Sequence, residues 1–176
     1  MKNIALIGFM GSGKSTVAAI LAKKLGWEWR EIDNDILCLT EHSSINAIFE
    51  NLGEVHFREL ETKSVMDAVK KSNQVISCGG GVVASPEAMA ALQQNSIIVF
   101  LHADFKTITQ RLIHTDSRPL FRDMEKAAVL YAQRLPLYKK HAVIEVMTDE
   151  LTPDETADAI IREIKKQPHS TGGRES

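Results

Sequence analysis

A glycine-rich segment near the start of the chain carries the strongest chemical signature in the sequence. Gly8-Phe9-Met10-Gly11-Ser12-Gly13-Lys14-Ser15 matches the pattern G-x-x-x-x-G-K-[ST]. In this pattern backbone N–H groups face phosphate oxygens, the lysine reaches the β- and γ-oxygens, and the hydroxyl meets Mg²⁺. We therefore predict nucleotide binding, with Lys14 also catalytic and Ser15 a metal ligand. The predicted nucleotide-binding residues of the loop are Gly11, Ser12, Gly13, Lys14, Ser15 and Thr16.

Two acidic residues, Asp33 and Asp35, follow the second predicted strand. Alternate residues of a strand point the same way, so both carboxylates are expected on one side of the chain as it leaves the sheet. Beside Lys14 and Mg²⁺, one acid can hold the hydrated metal while the other orients or deprotonates an attacking hydroxyl. A solvated acidic turn is the alternative interpretation.

A phosphate loop is shared by kinases, switch GTPases and motor ATPases, so other features must separate these classes. The sequence contains no Asn/Thr-Lys-x-Asp guanine signature and no run of four aliphatic residues that ends in Asp-Glu. Three glycines, Gly79 to Gly81, follow the third predicted strand and indicate either close backbone approach to a ligand or a flexible loop. The two missing signatures weaken the GTPase and motor ATPase interpretations.

Short apolar runs alternate with helical patterns along the chain, which predicts a three-layer α/β/α domain with a five-stranded parallel sheet. We expect a single domain over residues 1–167, with a helical insertion over 34–71 and a lid over 112–124. Within the insertion, Gly53 separates two helical stretches. The predicted strands are Ile4 to Gly8, Trp29 to Asp33, Gln74 to Cys78, Ile97 to Leu101 and Val143 to Met147.

Capping signals mark the ends of several predicted helices. Gly26 has the position of a helix C-cap after the first helix. Ser85-Pro86-Glu87 combines a capping hydroxyl, a first-turn proline and an acid. Thr152-Pro153-Asp154-Glu155 adds a capping box. These signals place helices after the first, third and fifth strands.

The composition argues against several classes of partner. A formal net charge of −2 with 25% charged residues provides no basic stripe for nucleic acid or anionic lipid. The two cysteines, Cys38 and Cys78, form no metal-binding spacing, which is typical of a reduced compartment. No window approaches the roughly twenty apolar residues that a membrane span needs. We expect a cytoplasmic monomer without nucleic-acid or membrane partners, and a disordered tail over 168–176.

A longer series of motifs runs from Ile4 to about Lys166. In chain order these motifs are the loop of form G-x-M-G-x-G-K-[ST], Asp33-Asn34-Asp35, Phe57-Arg58 with Glu61, Gly79-Gly80-Gly81, Arg118-Pro119-Leu120 and Arg134-Leu135-Pro136-Leu137-Tyr138. The series resembles the shikimate kinase family. The resemblance implies a fold of the nucleoside monophosphate kinase type and transfer of the γ-phosphoryl of ATP to the 3-hydroxyl of shikimate, with Mg²⁺.

By this resemblance, Asp33 assists the metal and Asp35 contacts the acceptor hydroxyl. Arg118 is implied as a catalytic and nucleotide-binding residue of the lid, where it stabilises charge on the transferred group, and Arg111 is expected at adenine. The implied substrate-binding residues are Asp35, Phe49, Phe57, Arg58, Glu61, Gly79, Gly80, Gly81 and Arg134.

The types and spacing of the substrate residues agree with recognition of an acid. Arg58 and Glu61 are three apart on a helix and share a face, so the acid can orient the guanidinium. A guanidinium donates two parallel hydrogen bonds to a carboxylate, and Arg134 supplies a second fork. Phe49 and Phe57 can either wall the substrate ring or fill the core of the insertion. A gluconate-type kinase and a non-catalytic nucleotide-binding regulator remain the alternative functions.

Overall fold

The computed structural model describes residues 2–112 and 123–167. Its centre is a five-stranded sheet whose strands all pair in parallel, in the order β2-β3-β1-β4-β5. The strands are β1 (Asn3–Ile7), β2 (Glu28–Glu31), β3 (Gln74–Ser77), β4 (Ser96–His102) and β5 (Ile144–Met147). The predicted α/β class and parallel sheet are confirmed.

Helices cover both faces of this sheet. They are α1 (Lys14–Leu25), α2 (Ile32–Cys38), α3 (Ile45–Ala68), α4 (Pro86–Asn95), α5 (Phe105–Leu112), α6 (Met124–His141) and α7 (Pro153–Lys166). A short 3₁₀ turn spans Val82–Ala84. The predicted caps are confirmed: Gly26 ends α1 at a φ of 67°, Ser85 accepts from the Ala88 N–H, and Thr152 forms its capping box with Glu155.

The side chains of the central strand show why two layers of helices are needed. Ile4 and Leu6 of β1 pack with residues of α1 and α7, whereas Ala5 and Ile7 pack in a second cluster with residues of α3, α4 and α6. A strand that carries apolar side chains on both faces must be covered by helices on both faces. The carboxyl ends of the strands therefore remain the edge at which a site can form.

The second strand is shorter than predicted, and this changes the geometry of the acidic pair. β2 ends at Glu31 and the chain enters α2 at once, with Ile32 and Ile36 buried four residues apart on one face. Residues two apart on a helix point about 200° away from each other. The expectation that Asp33 and Asp35 share one side of the chain is therefore wrong.

The helical insertion has the predicted break. Helical hydrogen bonding resumes beyond Gly53 within α3, but Gly53 itself has non-helical angles, with φ 79° and ψ 170°, which a residue with a Cβ rarely adopts. Of the predicted lid, residues 113–122 with Arg118 lie outside the described residues, as does the tail over 168–176. No helix within the described ranges is long and apolar enough to cross a membrane.

Candidate active site

The glycine-rich loop connects β1 to the start of α1 in a conformation that its glycines make possible. Gly11 and Gly13 have φ values of 77° and 91°, in the left-handed region. Gly13 is the N-cap of α1 and provides no side chain to cap the first helical N–H groups, and the first turn carries no acid. The N–H groups at a helix N-terminus attract anions. The loop is therefore built to receive phosphate.

Lys14 is held over this loop. Its Nζ donates to the carbonyl oxygens of Gly8 at 2.9 Å and Phe9 at 3.0 Å, and the residue is 9% exposed. The next two residues, Ser15 and Thr16, are exposed in the first turn of α1. The ammonium group and both hydroxyls thus lie around the same phosphate cradle.

Glu31, at the carboxyl end of β2, lies behind the loop and is not among the predicted site residues. Its pKa is raised by burial, while the nearby hydroxyls of Ser15 and Ser77 and the ammonium of Lys14 oppose the rise. Its Oε2 is buried and makes no hydrogen bond within the described structure. A buried carboxylate oxygen beside a loop serine suits a hard cation or its water.

Asp33, in the first turn of α2, faces the glycine turn that follows β3. Its Oδ1 lies 3.3 Å from the position that a Cβ on Gly79 would occupy, and Glu61 Oε1 lies closer still to the same position. Asp33, Glu31, Glu61 and Lys14 all act electrostatically on the thiol of Cys78, whose pKa is raised chiefly by burial. Asp33 is therefore part of the same cluster as Lys14.

Asp35 lies elsewhere. Its Oδ2 accepts a hydrogen bond from Arg30 Nε at 2.6 Å, and Arg30 also donates to Asp67 at 3.1 Å. This ion pair ties α2 to β2 and α3 on the flank of the molecule. The structure does not bring Asp35 to Asp33 and the phosphate loop, because the helical turn directs the two side chains apart.

The arginine pocket, which we define as the space between Arg58, Glu61, Arg134, Phe49 and Phe57, opens beside the glycine turn. Arg58 Nη1 donates to Glu61 Oε2 at 2.7 Å, as the spacing predicts. The guanidinium lies 5.2 Å from the Phe57 ring centroid and 6.0 Å from that of Phe49. The two rings stack at 4.3 Å. They therefore pack together and also support the guanidinium.

Glu61 is a fully buried carboxylate at the floor of this pocket. Its pKa is raised by burial, and the Arg58 guanidinium opposes that rise. The second oxygen, Oε1, has no hydrogen-bond partner among the described residues. One carboxylate oxygen thus holds Arg58 while the other faces Gly79.

Arg134 reaches the same pocket from α6. Burial lowers the pKa of its guanidinium, and Arg58 acts in the same direction, whereas Tyr138 and Glu61 oppose the shift. Arg134 remains charged, because the ordinary pKa of a guanidinium lies far above neutral pH. Two guanidinium groups from segments far apart in the chain therefore converge around one buried acid, and Arg58 also pairs with the exposed carboxylate of Glu54 at 3.3 Å.

The glycine turn separates the phosphate loop from the arginine pocket. A Cβ on Gly80 would lie 3.4 Å from the Gly8 carbonyl oxygen and 3.5 Å from the Met10 nitrogen, so this residue abuts the phosphate loop. A Cβ on Gly81 would overlap the Arg58 guanidinium, so that residue abuts the pocket. A Cβ on Gly79 would likewise collide with Glu61, so the absence of side chains at Gly79 and Gly81 lets the turn approach the arginine pocket this closely.

Arg111 lies at the end of α5, where it donates to the Oγ1 and carbonyl oxygen of Thr148. The neighbouring Leu112 side chain reaches the phosphate loop, since its Cδ1 is 2.7 Å from the position of a Cβ on Gly11. The end of α5 and the residue after β5 therefore flank the phosphate loop on the side away from the arginine pocket. Arg118 lies outside the described residues.

Comparisons with known proteins agree over nearly the whole chain. The family model for shikimate kinase matches residues 10–165. A shikimate kinase of Caldicellulosiruptor bescii is 43% identical over 164 residues, 92% of this chain and 94% of the relative. One of Thermodesulfovibrio yellowstonii is 39% identical over 169 residues, with 94% and 96% covered.

A solved structure described as shikimate kinase from Acinetobacter baumannii in complex with shikimate superposes with a TM-score of 0.89. It is 32% identical to this chain, and 96% of each chain is covered. The sequence match, the fold and the phosphate loop beside an arginine pocket lead to the same assignment. This chain belongs to the shikimate kinase family.

Proposed function

We propose that this chain transfers the γ-phosphoryl group of ATP to the 3-hydroxyl of shikimate, giving shikimate 3-phosphate and ADP. The observation that carries the proposal is the convergence of Arg58 and Arg134 on one pocket next to the phosphate loop. Such a pair suits an organic acid whose hydroxyl must reach the nucleotide. The family assignment and the complex of the A. baumannii enzyme with shikimate support the same acceptor.

We assign the acceptor hydroxyl to Asp33 rather than Asp35. Asp33 lies at the junction of the phosphate loop and the glycine turn, whereas Asp35 is paired with Arg30. In the proposed reaction Asp33 orients the hydroxyl and takes its proton as the new O–P bond forms and the bond to ADP breaks. Lys14 offsets charge on the transferred group, and Arg118 is proposed for the same task on the resemblance alone.

The residues around Ser15 fit a divalent metal, which we propose to be Mg²⁺. Mg²⁺ keeps most of its waters and takes oxygen ligands from nucleotide and protein. The Ser15 hydroxyl and the unpartnered Glu31 oxygen are donors of this kind, so we transfer the metal-assisting role from Asp33 to Glu31. Held by the Ser15 hydroxyl and, directly or through water, by Glu31, the ion would offset negative charge on the phosphate groups. No group of three or more His, Cys, Asp or Glu within residues 2–112 and 123–167 forms a separate metal site.

Adenine recognition is proposed at Arg111, because the end of α5 lies against the phosphate loop. We further propose that the enzyme works as a monomer in the cytoplasm, without nucleic-acid or membrane partners. The reduced compartment is supported by two free cysteines, Cys38 and Cys78, of which only Cys38 is exposed.

Gly81→Ala should weaken acceptor binding selectively. The added Cβ would overlap the Arg58 guanidinium, and a φ of −92° makes alanine acceptable to the backbone. The flexible arginine will move aside, so we expect the KM for shikimate to rise about tenfold, the loss of one charge-assisted hydrogen bond. The KM for ATP should change less than about twofold. Steady-state kinetics decide this, and an equal rise in both constants would place Arg58 outside the acceptor pocket.

Glu31→Gln tests the proposed metal role of Glu31. Outer-shell substitutions cost about 10- to 100-fold in metal affinity, so we expect the Mg²⁺ concentration for half-maximal turnover to rise about tenfold. Glu28→Gln is the matched control, because Glu28 is exposed on the same strand. A Mg²⁺ dependence identical to that of the control would contradict the assignment.

The same variant should also change the dependence of stability on pH. The pKa of Glu31 is raised above its ordinary 4.5, so the folded protein holds this proton more tightly than the unfolded chain does. The contribution of Glu31 to the free energy of unfolding therefore falls as the pH rises above about 4.5. Urea unfolding should show Glu31→Gln gaining stability, relative to wild type, as the pH rises from below 4.5 towards neutral. A constant difference would contradict the raised pKa.

A coupled ADP-release assay with three acceptor conditions tests the proposed function. We expect ATP turnover with shikimate, and only the no-acceptor rate with gluconate or without acceptor. Turnover with gluconate alone would identify a sugar-acid kinase. Turnover at the blank rate in all three conditions, with ATP binding retained, would identify a nucleotide-binding regulator.

A further inference from the structure

Tyr138 is a buried hydroxyl at the centre of the site that the proposed reaction does not use. It lies on α6 with a relative exposure of 0%. Its hydroxyl donates to the Gly80 carbonyl oxygen at 2.5 Å. Four residues earlier on the same helix, Arg134 faces it, as the helical repeat requires. Burial raises the pKa of Tyr138, and the guanidinium of Arg134 opposes that rise.

The ring of Tyr138 is fixed as well as its hydroxyl. It stacks on Phe100 of β4 at a centroid distance of 5.1 Å and an interplanar angle of 20°. Pro136, which lies between Arg134 and Tyr138, has no N–H and removes one hydrogen bond from the helix at this point. Tertiary contacts of Tyr138 therefore carry more of the positioning of this part of α6.

The carbonyl group that accepts this hydrogen bond belongs to the glycine turn. Gly80 lies in the turn between the two halves of the site, next to the Gly8 carbonyl oxygen and the Met10 nitrogen of the phosphate loop. The Tyr138 hydroxyl thus contacts the glycine turn beside the phosphate loop and also faces Arg134 of the arginine pocket. Removing the hydroxyl would leave the partly buried Gly80 carbonyl without this hydrogen bond and the Arg134 guanidinium without this neighbour.

We propose that Tyr138 is a positioning residue that fixes the Gly79–Gly81 turn and the Arg134 guanidinium relative to each other. It thereby sets the distance between the bound acceptor and the phosphate loop. The inference rests on the proposed function, since the acceptor is the acid that Arg134 binds. Tyr138 itself touches neither reacting group.

Tyr138→Phe keeps the ring stack and removes only the hydroxyl. We expect the KM for shikimate to rise about tenfold and kcat to fall, with the KM for ATP within about twofold of wild type. Tyr131→Phe is the matched control, because Tyr131 also lies on α6 and donates to a backbone carbonyl, that of Ala103 at 3.0 Å. The control should keep both KM values within about twofold while losing a similar amount of thermal stability.

Two further measurements keep the test decisive. A double-mutant cycle with Arg134→Ala should show that Tyr138→Phe adds little to the shikimate KM once the arginine is gone. Hydrogen exchange of the segment 78–82, followed without any acceptor, should be faster in Tyr138→Phe than in Tyr131→Phe. Additive effects in the cycle, or unchanged exchange, would overturn the proposal. Hydrogen exchange needs no turnover, so it tests the positioning role of Tyr138 whatever the acceptor is. Absence of turnover by the wild-type protein with shikimate would show separately that the acceptor assignment is wrong.

Discussion

Asp33→Asn should lower kcat with shikimate by about 10²- to 10⁴-fold, the usual contribution of a positioned general base. The variant keeps the size of the side chain and loses the ability to take a proton. Asp33 lies at the glycine turn and acts on the same buried thiol as Lys14. The affinity for ATP should change little, because the nucleotide is held by the loop and α1. Single-turnover measurements with saturating substrates isolate this effect on the chemical step.

Asp35→Asn is the matched control in the same turn of helix. Its expected effect on kcat is less than about twofold, with a stability loss of about 0 to 1 kcal/mol from the partly exposed pair with Arg30. The two variants distinguish Asp33 from Asp35, the residue that the sequence resemblance places at the hydroxyl. A large loss of kcat in Asp35→Asn together with near-normal Asp33→Asn would reverse our assignment.

Lys14→Met should reduce kcat by at least about 10²- to 10³-fold, the cost of removing one preorganised group that stabilises transition-state charge. Methionine matches the length of the apolar stem, so the buried site stays filled. Lys14 Nζ donates to two loop carbonyls, which hold the ammonium group at the phosphate loop. Rates with saturating ATP and shikimate measure the effect.

Lys24→Met provides the matched control for charge on the same helix. Lys24 pairs with Asp154 and Asp158 on the surface, away from the loop. We expect kcat within about twofold of wild type, because exposed ion pairs contribute little. Near-normal turnover by Lys14→Met would refute the role of the phosphate-loop lysine.

The phosphate loop and the fold can be predicted because their determinants are local. A glycine-rich run between a strand and a helix specifies its own backbone, and hydroxyl and proline caps mark helix starts within a few residues. Gly26, Ser85 and Thr152 each end or begin a helix as predicted. Alternating apolar runs then indicate a buried parallel sheet, whatever the details of each strand.

The geometry of the acidic pair is predicted wrongly because the end of a strand is not a local property. An Asp-x-Asp spacing fits both the end of a strand and a helix, and only the burial of Ile32 and Ile36 shows that the chain forms a helix here. Ending β2 at Glu31 makes Glu31 and Asp33, rather than Asp33 and Asp35, the acids near the loop. The two isoleucines four apart after Glu31 are the signal in the sequence that could have shown this.

The remaining features depend on contacts between distant segments. Arg58 and Glu61 can be paired from their spacing, but their approach to Arg134 depends on how α3 and α6 pack on the sheet. The stacking of Phe49 on Phe57 likewise depends on the angle that Gly53 introduces. The bond from Tyr138 to Gly80 joins residues 58 apart in the sequence. No local pattern contains such information.

Shikimate and its neutral methyl ester, compared as acceptors, show whether the two arginines bind the carboxylate of the substrate. If Arg58 and Arg134 do so, each contributes roughly 1.5 to 3 kcal/mol. The ester should then lose at least about 10²-fold in kcat/KM, mostly through KM. The hydroxyl to be phosphorylated is the same in both compounds, so no other step of the reaction should differ. Equal kcat/KM values for the acid and the ester would contradict an acceptor pocket built from these two arginines.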